Sequence, residues 1–325
     1  MNTDKMLITQ RPWYRRYAFK QYSAILIVLI GLIVIGTVLS YQSFFTLTNF
    51  TNIIRQASII GIVVIGATFI LISGGIDLSV GSNLILSSCS AALVLTQTGN
   101  PLLAILLALA VGTAVGLLNG FLVMRFKIAS FIVTLGIGQI SLGLAMFITG
   151  NKIISISDKV FSGIGSSYIF GFLPMPAFIC ILVVIAGILI EKKSTLGRYI
   201  YAIGGNEEAS KLSGIDVNKF KVIVFSMGGL FIGLAAVVQL GRMSAASNQI
   251  GTGAELEAIS AAVIGGTAIT GGYGSVIGSI VGVVILQILN NILNMMNVPS
   301  YSQLLLKGII LIGAIIIYQK QQSKY

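Results

Sequence analysis

The chain has 325 residues, of which 56% are hydrophobic and only 9% charged, with a formal net charge of +11. A soluble domain normally carries about 25% charged residues, so a polar surface cannot be built and the solvent must be lipid. There is no His and only two Cys, Cys89 and Cys180, both inside apolar runs; that excludes imidazole catalysis and any metal site built on His, and makes the cysteines small buried hydrophobes rather than a disulfide.

Ten candidate membrane helices follow one another: 23–39, 57–73, 79–95, 102–124, 131–149, 177–190, 222–241, 258–269, 275–296 and 303–318. Most approach the roughly 20 residues that cross a bilayer; the third and eighth are the weakest, and the eighth is short and flanked by glycines. Only helices or closed barrels satisfy the backbone in lipid, and these runs are too long and too apolar for barrel strands. The expected architecture is one all-α integral membrane domain over residues 1–325. The first run is too long for a cleavable signal peptide and no small-residue cleavage pattern follows it.

Orientation comes from the cations. Residues 1–22, the turn at Arg125 and Lys127, the segment 191–221 and the tail hold 15 of the 20 Lys and Arg. Those four segments share one side of the membrane if ten helices start and end in the cytoplasm, and basic loops mark that side. The same rule accounts for the positive charge without nucleic acid.

Several polar groups fall inside or beside the apolar runs. Asp77, in ISGGIDLSVGS, lies between the second and third runs, where a charge is costly. It is read as an N-cap for a helix starting at Leu78; the other reading is a lining residue of a solute path. Glu255 and Glu257, in GTGAELEAISA, sit at a helix start, where they compensate its dipole; Glu257 is also a candidate gate residue. Asn119, Gln139, Asn290 and Asn291 are candidate path residues, since amides bind hydroxyls without bringing charge. Gln239, Gln287 and Asn294 are further amides within runs. Any of these amides also serves to bond helix to helix. Gly112, Gly116 and Gly120, and again Gly274, Gly278 and Gly282, form ladders that let a neighbouring backbone approach. The two ladders are five helices apart, a hint of an inverted repeat, although both would fall in the cytoplasmic half. No Walker A pattern occurs and no catalytic constellation is evident, so no enzymatic role, cofactor or metal is expected.

The charged island spans YAIGGNEEASKLSGIDVNKFK, Tyr201–Lys221. Asn206 caps a short helix with Glu207 and Glu208 in its first turn. Ala209, Leu212 and Ile215 share one side, and Gly214 stops it. An amphipathic helix of this kind fits a groove on another protein, or is simply a solvated loop helix.

The stretch LGRYIYAIGGNEEASKLSGIDVNKFK closely resembles the coupling segment of the monosaccharide, ribose-type permeases of ABC importers. ISGGIDLSVGS, GTGAELEAISAAVIGGTAITGGYGSVIG and LNNILNMMNVPSYSQLLLKG match the same family in order. The resemblance implies the permease fold of the sugar and branched-chain amino acid importers, with two permease subunits, normally a homodimer, around a path. It also implies a cytoplasmic ABC ATPase and an extracytoplasmic sugar-binding protein. Carried over to this chain, the ATPase contacts would be Gly204, Gly205, Asn206, Glu207, Glu208, Ala209, Leu212, Gly214 and Ile215. The solute would be a monosaccharide, ribose first, with galactose or xylose as alternatives. A stand-alone secondary transporter is the rival; it would normally need more intramembrane acids or bases than this chain offers.

Overall fold

The computed structural model describes residues 30–34, 36–38, 44–299, 301–303, 305–306, 308–309 and 312–313. The first expected span falls mainly outside the described residues, as does the tenth; the residues described within them are helical. The long helices are α1 (Leu47–Ile72), α2 (Val80–Thr98), α3 (Pro101–Phe126), α4 (Ser130–Thr149), α6 (Met175–Lys193), α9 (Val217–Met243) and α11 (Val276–Met295). All seven are long and apolar enough to cross a bilayer. Shorter helices are α5 (Lys159–Ser166), α7 (Thr195–Gly205), α8 (Glu207–Leu212) and α10 (Ala254–Ile264). Two-residue strands make up the rest: β1 (Ile154–Ser155) pairs antiparallel with β4 (Ala245–Ala246), and β2 (Tyr168–Ile169) with β3 (Leu173–Pro174).

The eighth expected span is where sequence and structure differ most. Its helix ends at Ile264 and has 11 residues, about 16 Å at 1.5 Å per residue, too short to cross. The chain enters it from Gly251 and Gly253 and leaves through Gly265 and Gly266, and three of these four have left-handed φ. The stretch 150–174, featureless as sequence, folds into α5, the β2–β3 pair and β1, whose partner β4 follows α9.

Helix contacts are set by glycine. On α3, a methyl group at Gly112 would lie 2.5 Å from the carbonyl oxygen of Gly229 on α9, and one at Gly120 would lie 2.8 Å from the Val222 Cα. The first ladder is therefore a backbone-to-backbone seam between α3 and α9. The second ladder is shorter than its spacing suggests: Gly274 lies before α11, while Gly278 and Gly282 press on Gly265 and Ala261 of the α10 segment. At the centre, a methyl on Gly66 of α1 would meet Gly228 Cα of α9 at 2.8 Å. A long helix, a break, a second helix and a glycine-bearing third helix thus occur twice, as α1–α2–α3 and α9–α10–α11. α3 packs on α9 and α11 packs on α1, as an exchange of the two halves requires.

The core follows α1, α9 and their neighbours: Ile62, Ile65, Phe69, Ile72, Phe225 and Ile232 are wholly buried. The outer faces of α3, α4 and α6 expose Leu106, Phe121, Ile132, Leu135, Ile140 and Ile185, an apolar surface that only lipid or a partner covers favourably.

Candidate coupling surface and membrane path

The charged island resolves into two helices with a joint at Asn206. Ser194 caps α7 by accepting a hydrogen bond from Gly197 N–H (2.9 Å). Asn206 ends α7 in extended conformation and caps α8, its Oδ1 accepting from Ala209 N–H (2.9 Å). The Glu207 carboxylate takes hydrogen bonds from Lys211 (2.6 Å) and Lys221 (2.7 Å). These two lysines hold its pKa below the ordinary carboxylate value. Gly214 turns the chain with φ +83°, and Asp216 caps α9 through Lys219 N–H. Gly205, Asn206, Glu208, Ala209, Leu212 and Gly214 are exposed, and Ile215 is half-buried. Leu212 is 91% exposed, so this short helix presents an apolar tip surrounded by charge.

Gly204 differs from the rest of the island. A methyl group there would overlap the Ile72 carbonyl oxygen and sit 2.5 Å from Gly272 N. Gly272 N–H itself donates to Ile72 O (2.8 Å). Tyr201 O–H donates to Gly274 O (2.6 Å), and the Glu191 carboxylate accepts from Val276 N–H (2.8 Å). The island is thereby fastened to the turn 271–275, which leads straight into α11. Tyr201 and Glu191 have no signature in a single sequence, because their partners are backbone groups more than 70 residues away.

Asp77 lies in the break between α1 and α2. Ser79, not Asp77, stands at the N-cap position of α2, and its side chain makes no capping hydrogen bond there. Asp77 Oδ1 accepts from Ser79 N–H (2.8 Å) and Ser79 Oγ–H (2.6 Å), an Asx-type turn ahead of the helix. Asn119 Nδ2 donates to Ser79 Oγ (2.8 Å). Ser130 and Thr134, one turn apart on α4, accept from Ile76 and Leu78 N–H. Irregular backbone at membrane depth requires such protein partners. Asp77 and Asn119 are both buried, and their hydrogen bonds brace the break between α1 and α2.

The remaining candidates separate. Glu257 accepts from Gln287 Nε2 (2.6 Å) and Asn290 Nδ2 (2.9 Å). Asn291 exchanges hydrogen bonds with Asn49 on α1 (2.6 and 3.1 Å). Gln139 is exposed on α4. Glu255 turns to the other side of α10, towards Gly81. Gln287 completes the Glu257 cluster, and its i, i+3 spacing to Asn290 was the signal that pairs them.

The model of the family described as "Branched-chain amino acid transport system / permease component" matches residues 49–315. The chain belongs to that family. The permease is 39% identical over 323 residues to the ribose import permease protein of Escherichia coli K12, covering 97% of this chain and all of that one. It is 38% identical to the ribose import permease protein of Bacillus subtilis 168, covering 90% of this chain and 91% of that one. It is 33% identical to the xylose transport system permease protein of Escherichia coli K12, covering 87% and 90%. No solved structure matches the permease. It is thus a multi-pass membrane protein and a transport component rather than an enzyme.

Proposed function

We propose that the chain is the membrane subunit of an ATP-driven ABC importer and carries a monosaccharide, ribose in first place. The observation that carries this reading is the α7–α8 surface. It has an exposed, capped, charge-ringed tip at Leu212 and a rear face tied through Gly204 and Tyr201 to the turn before α11. A cytoplasmic ATPase grips the tip, and its movement on binding ATP passes through the turn 271–275 to α11. The basic segments 1–22, 125–127 and 191–221 face the cytoplasm, α10 enters the membrane without crossing it, and two copies of the chain flank the path. An extracytoplasmic binding protein delivers the sugar. Similarity to ribose and xylose permeases along nearly the whole chain supports a pentose.

The test is uptake of labelled pentoses and hexoses by the permease reconstituted with its ATPase and binding protein. Ribose accumulation that requires ATP is the expected result. Uptake of galactose or xylose in place of ribose moves the substrate and leaves the mechanism. Sugar uptake by the permease alone, without nucleotide, overturns the reading in favour of a secondary transporter.

A further inference from the structure

Gln287, Asn290, Asn291 and Asn294 stand at i, i+3, i+4 and i+7 on α11, so four amides share one helix face. Each is tied to another element. Gln287 and Asn290 bond Glu257 of α10, Asn291 bonds Asn49 of α1, and Asn294 accepts from Gln303. The inner pair is only half satisfied. Both donate to one oxygen, Glu257 Oε1, while the side-chain carbonyl oxygens of Gln287 and Asn290, on buried residues, have no partner among the described residues. Bare buried carbonyls are costly, and Leu or Met at both positions would fill the same space without that cost.

We infer that Glu257, Gln287 and Asn290 form a polyol subsite, closed in this conformation, whose bare carbonyls take their hydrogen bonds from sugar hydroxyls. This rests on the importer reading above and names where the solute is held. A hydroxyl both donates and accepts, so one sugar diol can donate to a bare amide carbonyl and accept from an amide N–H released by Glu257. Among the described residues the cluster offers amide N–H donors and bare carbonyl acceptors, the two functions a hydroxyl group answers.

The short helix supplies the opening. α10 is clamped to α11 at its C-terminal end, where Gly265 meets Gly278 and Ala261 meets Gly282 backbone to backbone. Its other end follows Gly251 and Gly253, with φ +123° and +83°. Glu257 is on that glycine-hinged end, so tilting α10 about the clamp withdraws Glu257 and uncovers both amides.

The experiment measures uptake of labelled D-ribose and its monodeoxy forms by the reconstituted complex, in wild type and in Gln287→Met, Asn290→Leu and Glu257→Gln. In wild type, loss of the recognised hydroxyl slows uptake by about fivefold or more, the scale of one uncharged hydrogen bond. In Gln287→Met or Asn290→Leu that penalty shrinks towards onefold while the melting temperature and ATPase association are retained. Glu257→Gln keeps an acceptor oxygen and serves as the readout if the apolar variants fail to insert; it changes the penalty by at least about twofold. Penalties that stay within twofold of wild type in every inserted variant overturn the subsite, since a purely structural role would leave them unmoved. Absence of ATP-dependent ribose uptake in wild type instead refutes the importer reading for ribose, and the subsite for that sugar with it.

Discussion

Gly204 and Ile72 touch so closely that no side chain fits between the α7 backbone and the carbonyl that ends α1. The same carbonyl accepts from Gly272 N–H, so α1, α7 and the turn before α11 meet at one point. Gly204→Ala forces these backbones apart, at a cost of about 1–3 kcal/mol for overpacking. Gly205→Ala adds a methyl group with nothing within 4 Å. Uptake and ATPase stimulation are expected to fall in the first and persist in the second. Equal activity of the two would remove the joint from the coupling route.

The α3–α9 seam makes a stability prediction. Gly112→Ala places a methyl 2.5 Å from Gly229 O and 2.7 Å from Gly233 N, both backbone atoms that cannot rotate away. A loss of about 1–3 kcal/mol is expected, seen as a lower melting temperature in detergent. Gly143→Ala on α4 meets open space and gains helix propensity of up to about 1 kcal/mol, so its melting temperature should hold or rise.

Leu212 and Glu208 should act on the partner alone. Leu212→Glu and Glu208→Lys change exposed positions, and the expected outcome is unchanged membrane insertion with lost ATPase co-purification and uptake. Gly214 is a poorer probe, because its φ of +83° means a bulky residue strains the turn before it reaches any partner. Retained ATPase binding in both variants would move the docking surface elsewhere.

Glu207 gives a pH dependence. Its pKa is depressed by hydrogen bonds from Lys211 and Lys221, so its contribution is complete above the unfolded value of 4.5 and fades as pH falls through the lowered folded value. The pairs are partly exposed, and each is worth about 0.3–0.5 kcal/mol. Glu207→Gln should therefore loosen α8 in proteolysis at pH 7, by a margin that narrows as the pH is taken down through the lowered folded value. A difference that persists at the lower pH would assign the effect to packing.

Asp77 is expected to tolerate Asn but not Ala. Asn retains an Oδ1 for Ser79 N–H and Oγ–H, whereas Ala strands buried donors at about 1–3 kcal/mol. Expression and thermal stability in detergent distinguish the two. A stable Asp77→Ala protein would show that the α1–α2 break does not depend on this turn.

The long helices were legible because apolar length is a property of local sequence. The Asn206 cap, the Glu207 first turn and the Gly214 stop were legible for the same reason, since capping is local chemistry. The end of α10 at Ile264 was not, because Ala258–Ile269 remains apolar on both sides of Gly265 and the helix is broken by backbone packing on Gly278. Asp77 looked like a cap because Gly-Gly-x-Asp fits one, yet Ser79 holds the cap position while α4 hydroxyls take the Ile76 and Leu78 N–H groups. Gly204 entered the set of ATPase contacts through the family resemblance, and its approach to the Ile72 carbonyl is visible only in the structure.

The eleven residues of α10 bear on how the molecule is made. A translocation channel that sorts nascent segments by apolar length admits α9 and α11 and has no reason to hold Ala254–Ile264. That helix settles only after α1 and α11 stand ready to receive it, so chains halted before Val276 should leave it open to protease.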